Sequence, residues 1–445
     1  MGPVAEIQEG ALLGRAQGRG QDLDEPETTD DTGHLGHGAN VDYSSAQRDD
    51  LTRRGRTPPG AAPEPGPAAG SVNGAGGVAG EEGWRSSGDE SRLRRPCGPG
   101  RCEADGYARP VTVLMVTDER FLEHRPGRRH PERPARLEAV WSGIEAAGLG
   151  EAVVRRGAAP ASDGDLLRCH SGEHLALLAG IDSAGGGPVD ADTSMSAGSW
   201  EAARLAAGAG LVAVAALRAG EADVAFCAVR PPGHHATPTT SMGFCLVNNV
   251  AVTAAALADS GERVAIVDID AHHGNGTQDA FYRDGRVLFV SCHQWPLYPG
   301  TGALDETGDG DGLGTTVNLP LPEGAAGDTY RYALDRVIVP VVERFGPDWL
   351  LVSAGFDAHR ADPLTGLGLT SGDFADLVDR LVRLVAAGRC IMFLEGGYDL
   401  EALASSSGAA LAAAVGIDHR PEPSSSAGPG REVVDLVATL NGIDE

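Results

Sequence analysis

Asp270 and His272 stand two residues apart in Asp268-Ile269-Asp270-Ala271-His272-His273-Gly274-Asn275-Gly276, directly after the apolar run Val264-Ala265-Ile266-Val267. In extended backbone, residues two apart leave the same face, so this spacing presents a carboxylate beside an imidazole. That mixed oxygen and nitrogen set suits zinc, and a catalytic zinc site adds one more protein ligand while keeping a position for water or substrate. Alone, an Asp-x-His tripeptide reads as a turn capping a following helix, here near Gly276-Thr277-Gln278-Asp279. Other segments that end in the same way change the reading. The run Asp348-Trp349-Leu350-Leu351-Val352-Ser353 opens into Ala354-Gly355-Phe356-Asp357-Ala358-His359, which offers Asp357 as the third ligand. Arg389-Cys390-Ile391-Met392-Phe393-Leu394 ends in Glu395-Gly396-Gly397-Tyr398, and Val224-Ala225-Phe226-Cys227-Ala228-Val229 ends in Arg230-Pro231-Pro232-Gly233-His234-His235.

These are the parts of an amide hydrolase. Zinc polarises a carbonyl and lowers the pKa of its water to about 7. A histidine can take the water proton and return it to a leaving amine, and a phenol can donate to the developing oxyanion. No Gly-x-Ser-x-Gly segment suggests a serine nucleophile instead.

The elements that must position such residues are strands. Short apolar runs with β-branched members, closed by glycine-rich polar turns, are typical of parallel strands covered on both faces. Ligands in open α/β sheets bind beyond the carboxyl ends of such strands. From Val111 onward strand and helix patterns alternate, which predicts an α/β fold: one open, mostly parallel sheet with helices on both faces. The Ala-rich stretch from Trp200 to Gly220 predicts a helix ending at glycine. Leu377 to Val385 has the spacing of a core-facing helix. The glycine-rich Thr301 to Gly314 stretch reads as a loop at the rim of the site.

Seven segments together resemble the zinc-dependent histone deacetylase and acetylpolyamine amidohydrolase superfamily, most closely its class II-type bacterial members. They are His130-Pro131-Glu132-Arg133-Pro134-Ala135-Arg136-Leu137, Arg230 to Ala236, Gly243-Phe244-Cys245-Leu246-Val247-Asn248-Asn249-Val250-Ala251, Asp268 to Gly276, Tyr298-Pro299-Gly300-Thr301-Gly302, Ser353 to His359, and Glu395-Gly396-Gly397-Tyr398. They occur in the family's order between about Val111 and Ile417. The resemblance implies an arginase/deacetylase-type sheet, zinc on Asp270, His272 and Asp357, His235 as general base and later acid, His234 as its electrostatic partner, and Tyr398 clamping the carbonyl oxygen. It pairs Asp268 with the first histidine and Asn275 with the second. Asn275 departs from class I members, which carry an acid there, and the change is expected to lower the pKa of His235. Gly243, Phe244 and Tyr298 match the wall of an acyl-lysine tunnel. Asp268, Asp270, His272, Ser291 and Cys292 match a structural monovalent-cation site, expected to take K+. Leu364 stands where polyamine-selective relatives place an acid, so the expected substrate is an acetylated lysine of a protein or peptide, with small acetylated amines such as acetylpolyamines as the alternative. The residues leave open whether Fe(II) replaces Zn2+ in the cell.

The same residues bear on two rival readings. A two-manganese ureohydrolase uses Asp-Ala-His-x-Asp, and here Gly274 has no side chain to offer as that last ligand. An inactive acetyl-lysine-binding scaffold would have lost a ligand or the tyrosine, and none is lost.

Residues 1–110 are rich in Gly, Pro, Ser, Asp and Arg without apolar periodicity, so they are expected to be a disordered tail. A start near Met115, with the tail an artefact of the assigned start, is the other reading. Residues 111–420 form the expected catalytic domain, and 421–445 a linker and short helix from Val433 to Leu440. A net charge of -27 disfavours direct nucleic-acid binding, which depends on Lys and Arg meeting phosphates. No run of about 18 apolar residues predicts a membrane span, and no signal peptide is evident. Together with 7 scattered cysteines, this leads to an expected cytoplasmic location; the sequence does not give the oligomeric state.

Overall fold

A computed structural model describes residues 111–443; the tail expected at 1–110 lies outside the described residues. Its centre is an eight-stranded sheet built from β1 (Val113–Val116), β2 (Val153–Arg156), β5 (Val224–Cys227), β6 (Val264–Asp268), β7 (Val287–Gln294), β8 (Thr316–Leu321), β9 (Trp349–Ala354) and β10 (Cys390–Leu394). A separate antiparallel hairpin pairs β3 (Gly186–Pro188) with β4 (Ser194–Ser196). The sheet order is β2-β1-β5-β10-β9-β6-β7-β8, and every pairing in it is parallel. The apolar runs fill the middle of this sheet because covering helices leave their side chains no solvent-facing side. Val264, Ala265, Ile266 and Val267, for example, are all fully buried.

The strand order explains how distant segments meet. β5, β10, β9 and β6 are consecutive neighbours, so the four exits singled out by their residues open at one edge, across about 14 Å at the usual strand spacing. Register keeps them level: Asp268 at the end of β6 lies opposite Ser353 on β9 and Ser291 on β7.

The Ala-rich helix spans Ser199–Arg218. It is long and apolar enough to cross a membrane, but 67% of its apolar window is buried inside the protein, where its small residues pack against strand and helix. The helix expected at Leu377–Val385 begins earlier and ends sooner, at Ser371–Leu381. Thr370 and Asp373 form a capping box that starts it, and the chain then turns through Gly388 into β10. Residues 421–430 have no helix or strand, yet they are fastened down. Glu422 accepts from Arg360 at 2.6 Å and faces His359 Nε2 at 2.7 Å, and the Ser425 hydroxyl donates to Asp373 at 2.6 Å. A helix follows at Arg431–Leu440, seated through Val434, Val437 and Ala438.

A buried ionic cluster underlies the edge that carries the four exits. Glu132 is 0% exposed and receives Arg230 Nη2 at 2.6 Å and Arg136 Nη1 at 3.3 Å, with His124 Nε2 at 3.4 Å. The guanidiniums also serve backbone carbonyls: Arg230 reaches Phe121 O (2.8 Å) and His124 O (3.0 Å), and Arg136 reaches Gly397 O (2.7 Å) and Glu395 O. Burial pushes the Glu132 pKa up, but Arg230 and His124 outweigh it and hold the carboxyl well below its ordinary 4.5. Removing the carboxylate leaves two buried cations without their counter-ion, so Glu132→Ala is expected to cost about 3–5 kcal/mol in urea unfolding. A folded-state pKa below the unfolded one means the contribution is complete above the ordinary value and lost only as pH falls through the lower folded one. The stability gap between wild type and variant should therefore persist at neutral pH and narrow only in strong acid.

Candidate active site

Asp270 and His272 lie just past the end of β6, and Asp357 past the end of β9. Their donor atoms all lie within 4.8 Å of one another. His272 Nδ1 is 3.0 Å from Asp357 Oδ2 and 3.2 Å from Asp270 Oδ1. The carboxylates are aimed by backbone amides: Ala271 N donates to Asp357 Oδ1 (2.8 Å), His272 N to Asp270 Oδ1 (2.9 Å) and Gly396 N to Asp270 Oδ2 (2.7 Å). The convergence requires bare backbone. A Cβ on Gly355 would sit 2.0 Å from Asp270 Oδ2, and one on Gly396 would sit 2.1 Å from Asp357 Oδ2.

The electrostatics of this trio call for a cation. Burial disfavours a charged His272, yet Asp357 and Asp270 overcome it and push its pKa up to about 10. Burial, then the neighbouring Asp270, pushes Asp357 up to about 7. Two carboxylates buried side by side demand positive charge between them. One imidazole nitrogen and two carboxylates, all buried, fit a divalent metal of the zinc type.

The histidine pair follows β5. His234 Nδ1 is 2.9 Å from Asp268 Oδ2, and His235 Nδ1 is 2.8 Å from Asn275 Oδ1. The rings lie 4.0 Å apart but in opposite electrostatic settings. Burial opposes charge on His234, but Asp270 and Asp268 outweigh it and push it up to about 10. Burial, then His234 and His272, holds His235 well below its ordinary 6.5. Tyr398 leaves the Gly-Gly turn after β10, where Asp362 Oδ2 accepts its backbone N–H at 2.7 Å. Arg136 sits 5.0 Å from its ring centroid. Burial first of all keeps the phenol well above its ordinary 10, so it is a hydrogen-bond donor at neutral pH.

Above these groups a cavity of about 210 Å³ is lined by Asp192, His235, Gly243, Phe244, His272, Leu297, Tyr298, Leu364 and Tyr398. Phe244 meets Tyr398 edge-on at 5.7 Å, and Tyr298 meets His235 edge-on at 5.2 Å, so two aromatic walls descend to the floor. Leu364 and Tyr298 are each 37% exposed, at the mouth. The 301–314 loop, expected at the rim, supplies none of this lining. Its Glu306 instead turns inward, accepting Gln278 Nε2 at 2.6 Å and Gly302 N at 3.0 Å, and so braces the segment behind His273.

At the position of the expected monovalent cation, Asp268, Ser291 and Cys292 are buried together on β6 and β7. Ser291 Oγ is engaged by His293 Nδ1 at 2.9 Å. Beside Asp268, Ser353 Oγ is buried without a hydrogen-bond partner, as is the Tyr330 hydroxyl, whose pKa is raised first by burial and then by nearby Cys292, Asp357, Asp270 and Asp268. Unused oxygens beside a buried carboxylate fit a hard monovalent cation.

Several residues that shape the site received no role from the sequence. Glu395 Oε2 accepts from Gly233 N (2.6 Å) and His234 N (3.1 Å), tying the histidine pair to the tyrosine turn. Asp362 also accepts Leu364 N at 3.0 Å, so one carboxylate orients the tyrosine and the mouth leucine. Asp192 belongs to the β3–β4 hairpin, whose short strands gave no signal. Glu132, Arg136, Arg230 and Glu395 carried one signal, ionisable residues inside otherwise apolar or proline-rich motifs, but nothing local to say what they would touch.

The histone deacetylase domain matches residues 130–414 of the chain. A probable deacetylase of Archaeoglobus fulgidus is 42% identical over 311 residues, covering 68% of this chain and 86% of the relative. A histone deacetylase-like amidohydrolase of Pseudomonas aeruginosa is 42% identical over 275 residues, covering 60% and 72%. Among solved structures, the crystal structure of the HDA15 HD domain is similar with a TM-score of 0.69 and 35% identity, covering 74% of this chain and 94% of that one.

If Asp357 is a metal ligand, Asp357→Ala should purify with less than a tenth of the wild-type zinc, since one lost ligand of three weakens such sites severely. Elemental analysis after dialysis checks this, and full zinc stoichiometry in the variant would remove Asp357 from the ligand set.

Proposed function

The chain belongs to the histone deacetylase family, and from that premise we propose that it is a zinc-dependent hydrolase that removes acetyl groups from the ε-amine of lysine in proteins or peptides. The observation that carries this reading is the convergence of Asp270, His272 and Asp357 beneath a narrow aromatic-walled cavity, with His235 and Tyr398 beside them. Zinc held by those three groups would activate water at neutral pH and polarise the amide carbonyl.

The protein's own groups divide the remaining work. The Phe244 and Tyr298 rings hold the methylene chain and exclude water from it. His235 donates its Nδ1 proton to Asn275 Oδ1, which leaves Nε2 free to accept a proton. Its lowered pKa keeps that nitrogen neutral before reaction, as a general base requires. Having taken the proton, the same nitrogen can return it to the leaving amine. His234 remains cationic against Asp268 and stabilises negative charge on the acyl group. Tyr398 donates its hydroxyl proton to the carbonyl oxygen as charge develops there.

The mouth supports lysine as the acyl carrier, because Leu364 offers no carboxylate to a second ammonium. Asp192 supports the alternative, a small acetylated polyamine, since its carboxylate lines the same cavity. The test compares kcat/KM on an acetyl-lysine peptide, acetylputrescine and acetylspermidine, each with and without a chelator. Preference for the peptide, abolished by chelation, is expected. Preference for an acetylated polyamine would overturn the lysine reading, and chelator-resistant activity would overturn the metal one.

Tyr398→Phe keeps the ring and removes only the donor. Turnover should fall on the order of 10²-fold or more, as when an oxyanion donor is lost elsewhere, with zinc content unchanged. Wild-type turnover in this variant would show that another group stabilises the intermediate.

A further inference from the structure

Phe244 has φ 68°, and among the described residues only Ala427 shares a positive φ without being glycine. A bulky residue held in the left-handed region is strained, and such strain persists only where the surroundings over-determine it. The preceding Gly243, at φ 56°, lies flat against the base: a Cβ there would sit 2.3 Å from His235 Cδ2. Something must hold this two-residue turn in place.

The hairpin loop between β3 and β4 does so. Gly243 N donates to Asp192 Oδ1 at 3.1 Å, and Phe244 N donates to Thr193 Oγ1 at 3.0 Å. The Thr193 hydroxyl then donates its own proton to Asp192 Oδ1 at 2.8 Å. One hydroxyl thus accepts from the Phe244 amide and fixes the carboxylate that accepts from the Gly243 amide. The loop is itself braced, because Asp190 Oδ1 accepts the amides of Asp192 (3.0 Å) and Thr193 (2.8 Å). His130 Nε2 is 3.1 Å from the Asp192 carbonyl, and its ring stands edge-on to Phe244 at 4.5 Å. Thr193 is 1% exposed and lines no part of the cavity.

We propose that Thr193 is a positioning residue for the tunnel: its hydroxyl couples the Asp192 carboxylate at the mouth to the Phe244 wall and fixes the spacing that grips the substrate's methylene chain. The inference rests on reading the cavity as an acyl-amine tunnel. Without the hydroxyl, the Phe244 amide faces a methyl group and Asp192 loses a donor. Gly243 cannot relax inward against His235, so Phe244 moves away from the position where it packs on Tyr398. The metal ligands, on other strand ends, are untouched.

Two substitutions separate the hydroxyl from the methyl. Thr193→Val keeps shape and removes the hydrogen bonds; Thr193→Ser keeps the hydroxyl and removes the methyl. In Thr193→Val, KM for an acetyl-lysine peptide should rise about tenfold, as for the loss of ground-state contacts worth one buried hydrogen bond. In that variant kcat should stay within about threefold and zinc stoichiometry should not change. Thr193→Ser should restore KM. Hydrogen exchange of the peptide spanning Gly243 and Phe244 should be slow in wild type and Thr193→Ser and fast in Thr193→Val. An unchanged KM, or a Thr193→Ser variant that behaves like Thr193→Val, would overturn the proposal. If wild type fails to hydrolyse the peptide at all, the functional reading fails, while the exchange contrast still decides whether the hydroxyl holds the turn.

Discussion

Negative charge buried at the ends of the central strands is the constraint around which this fold is arranged. Asp268, Asp270, Asp357 and Glu395 are each 0% exposed. An isolated buried carboxylate is very unfavourable unless paired and hydrogen-bonded, so each is surrounded by compensation. Backbone amides of Gly233, His234, Asp270, Ala271, His272 and Gly396 point into the cluster, and His234 and His272 are pushed toward their charged forms. Donors alone leave the cluster net negative, and a divalent ion among three converging donors is the direct way to balance it. The glycines at 355 and 396 follow from the same requirement, because backbone must approach these oxygens more closely than a side chain permits.

A second, positively charged layer holds the first in position. Arg136 spends its donors on the carbonyls flanking the Gly-Gly turn and on Glu132, and Glu132 is shared with Arg230 at the head of the histidine segment. Glu395 closes the circuit by accepting the amides of Gly233 and His234. His235 and Tyr398 therefore sit on two loops joined both by a carboxylate between them and by guanidiniums behind them. Packing alone would not fix their separation to a fraction of an ångström; directional, fully buried ionic hydrogen bonds do.

The parts of this architecture legible in the sequence were those with a local signature. Four apolar runs ending in polar turns mark four strands and the polar residues at their exits. The two-residue spacing of Asp270 and His272 put them on one face, and parallel connectivity put every exit at the same edge. What could not be read is what depends on distant partners. Nothing near Thr193 in the chain indicates that its hydroxyl meets Phe244, and the hairpin that carries it is too short for periodicity to register. Glu306 and Glu422 lie in stretches that look like ordinary loop and linker, yet both turn inward to tie segments far away in sequence. The end of the Ser371–Leu381 helix was missed because apolar spacing continued past the point where the chain had to turn into β10.

The histidine pair shows how one short motif yields two different tools. Both rings are buried, both occupy the same turn, and their centroids are 4.0 Å apart. What separates them is the atom opposite each Nδ1. A carboxylate opposite His234 favours the imidazolium, whereas the neutral amide of Asn275 fixes the tautomer of His235 and raises its pKa too little to offset burial and the neighbouring His234 and His272. Groups whose environments drive their pKa values apart take distinct acid and base roles. A cationic His234 further disfavours a proton on His235. A metal bound nearby would add positive charge beside both rings and move both pKa values in the same direction. The contrast between the rings therefore rests on what surrounds them: Asp270 and Asp268 around His234, burial and two neighbouring imidazoles around His235.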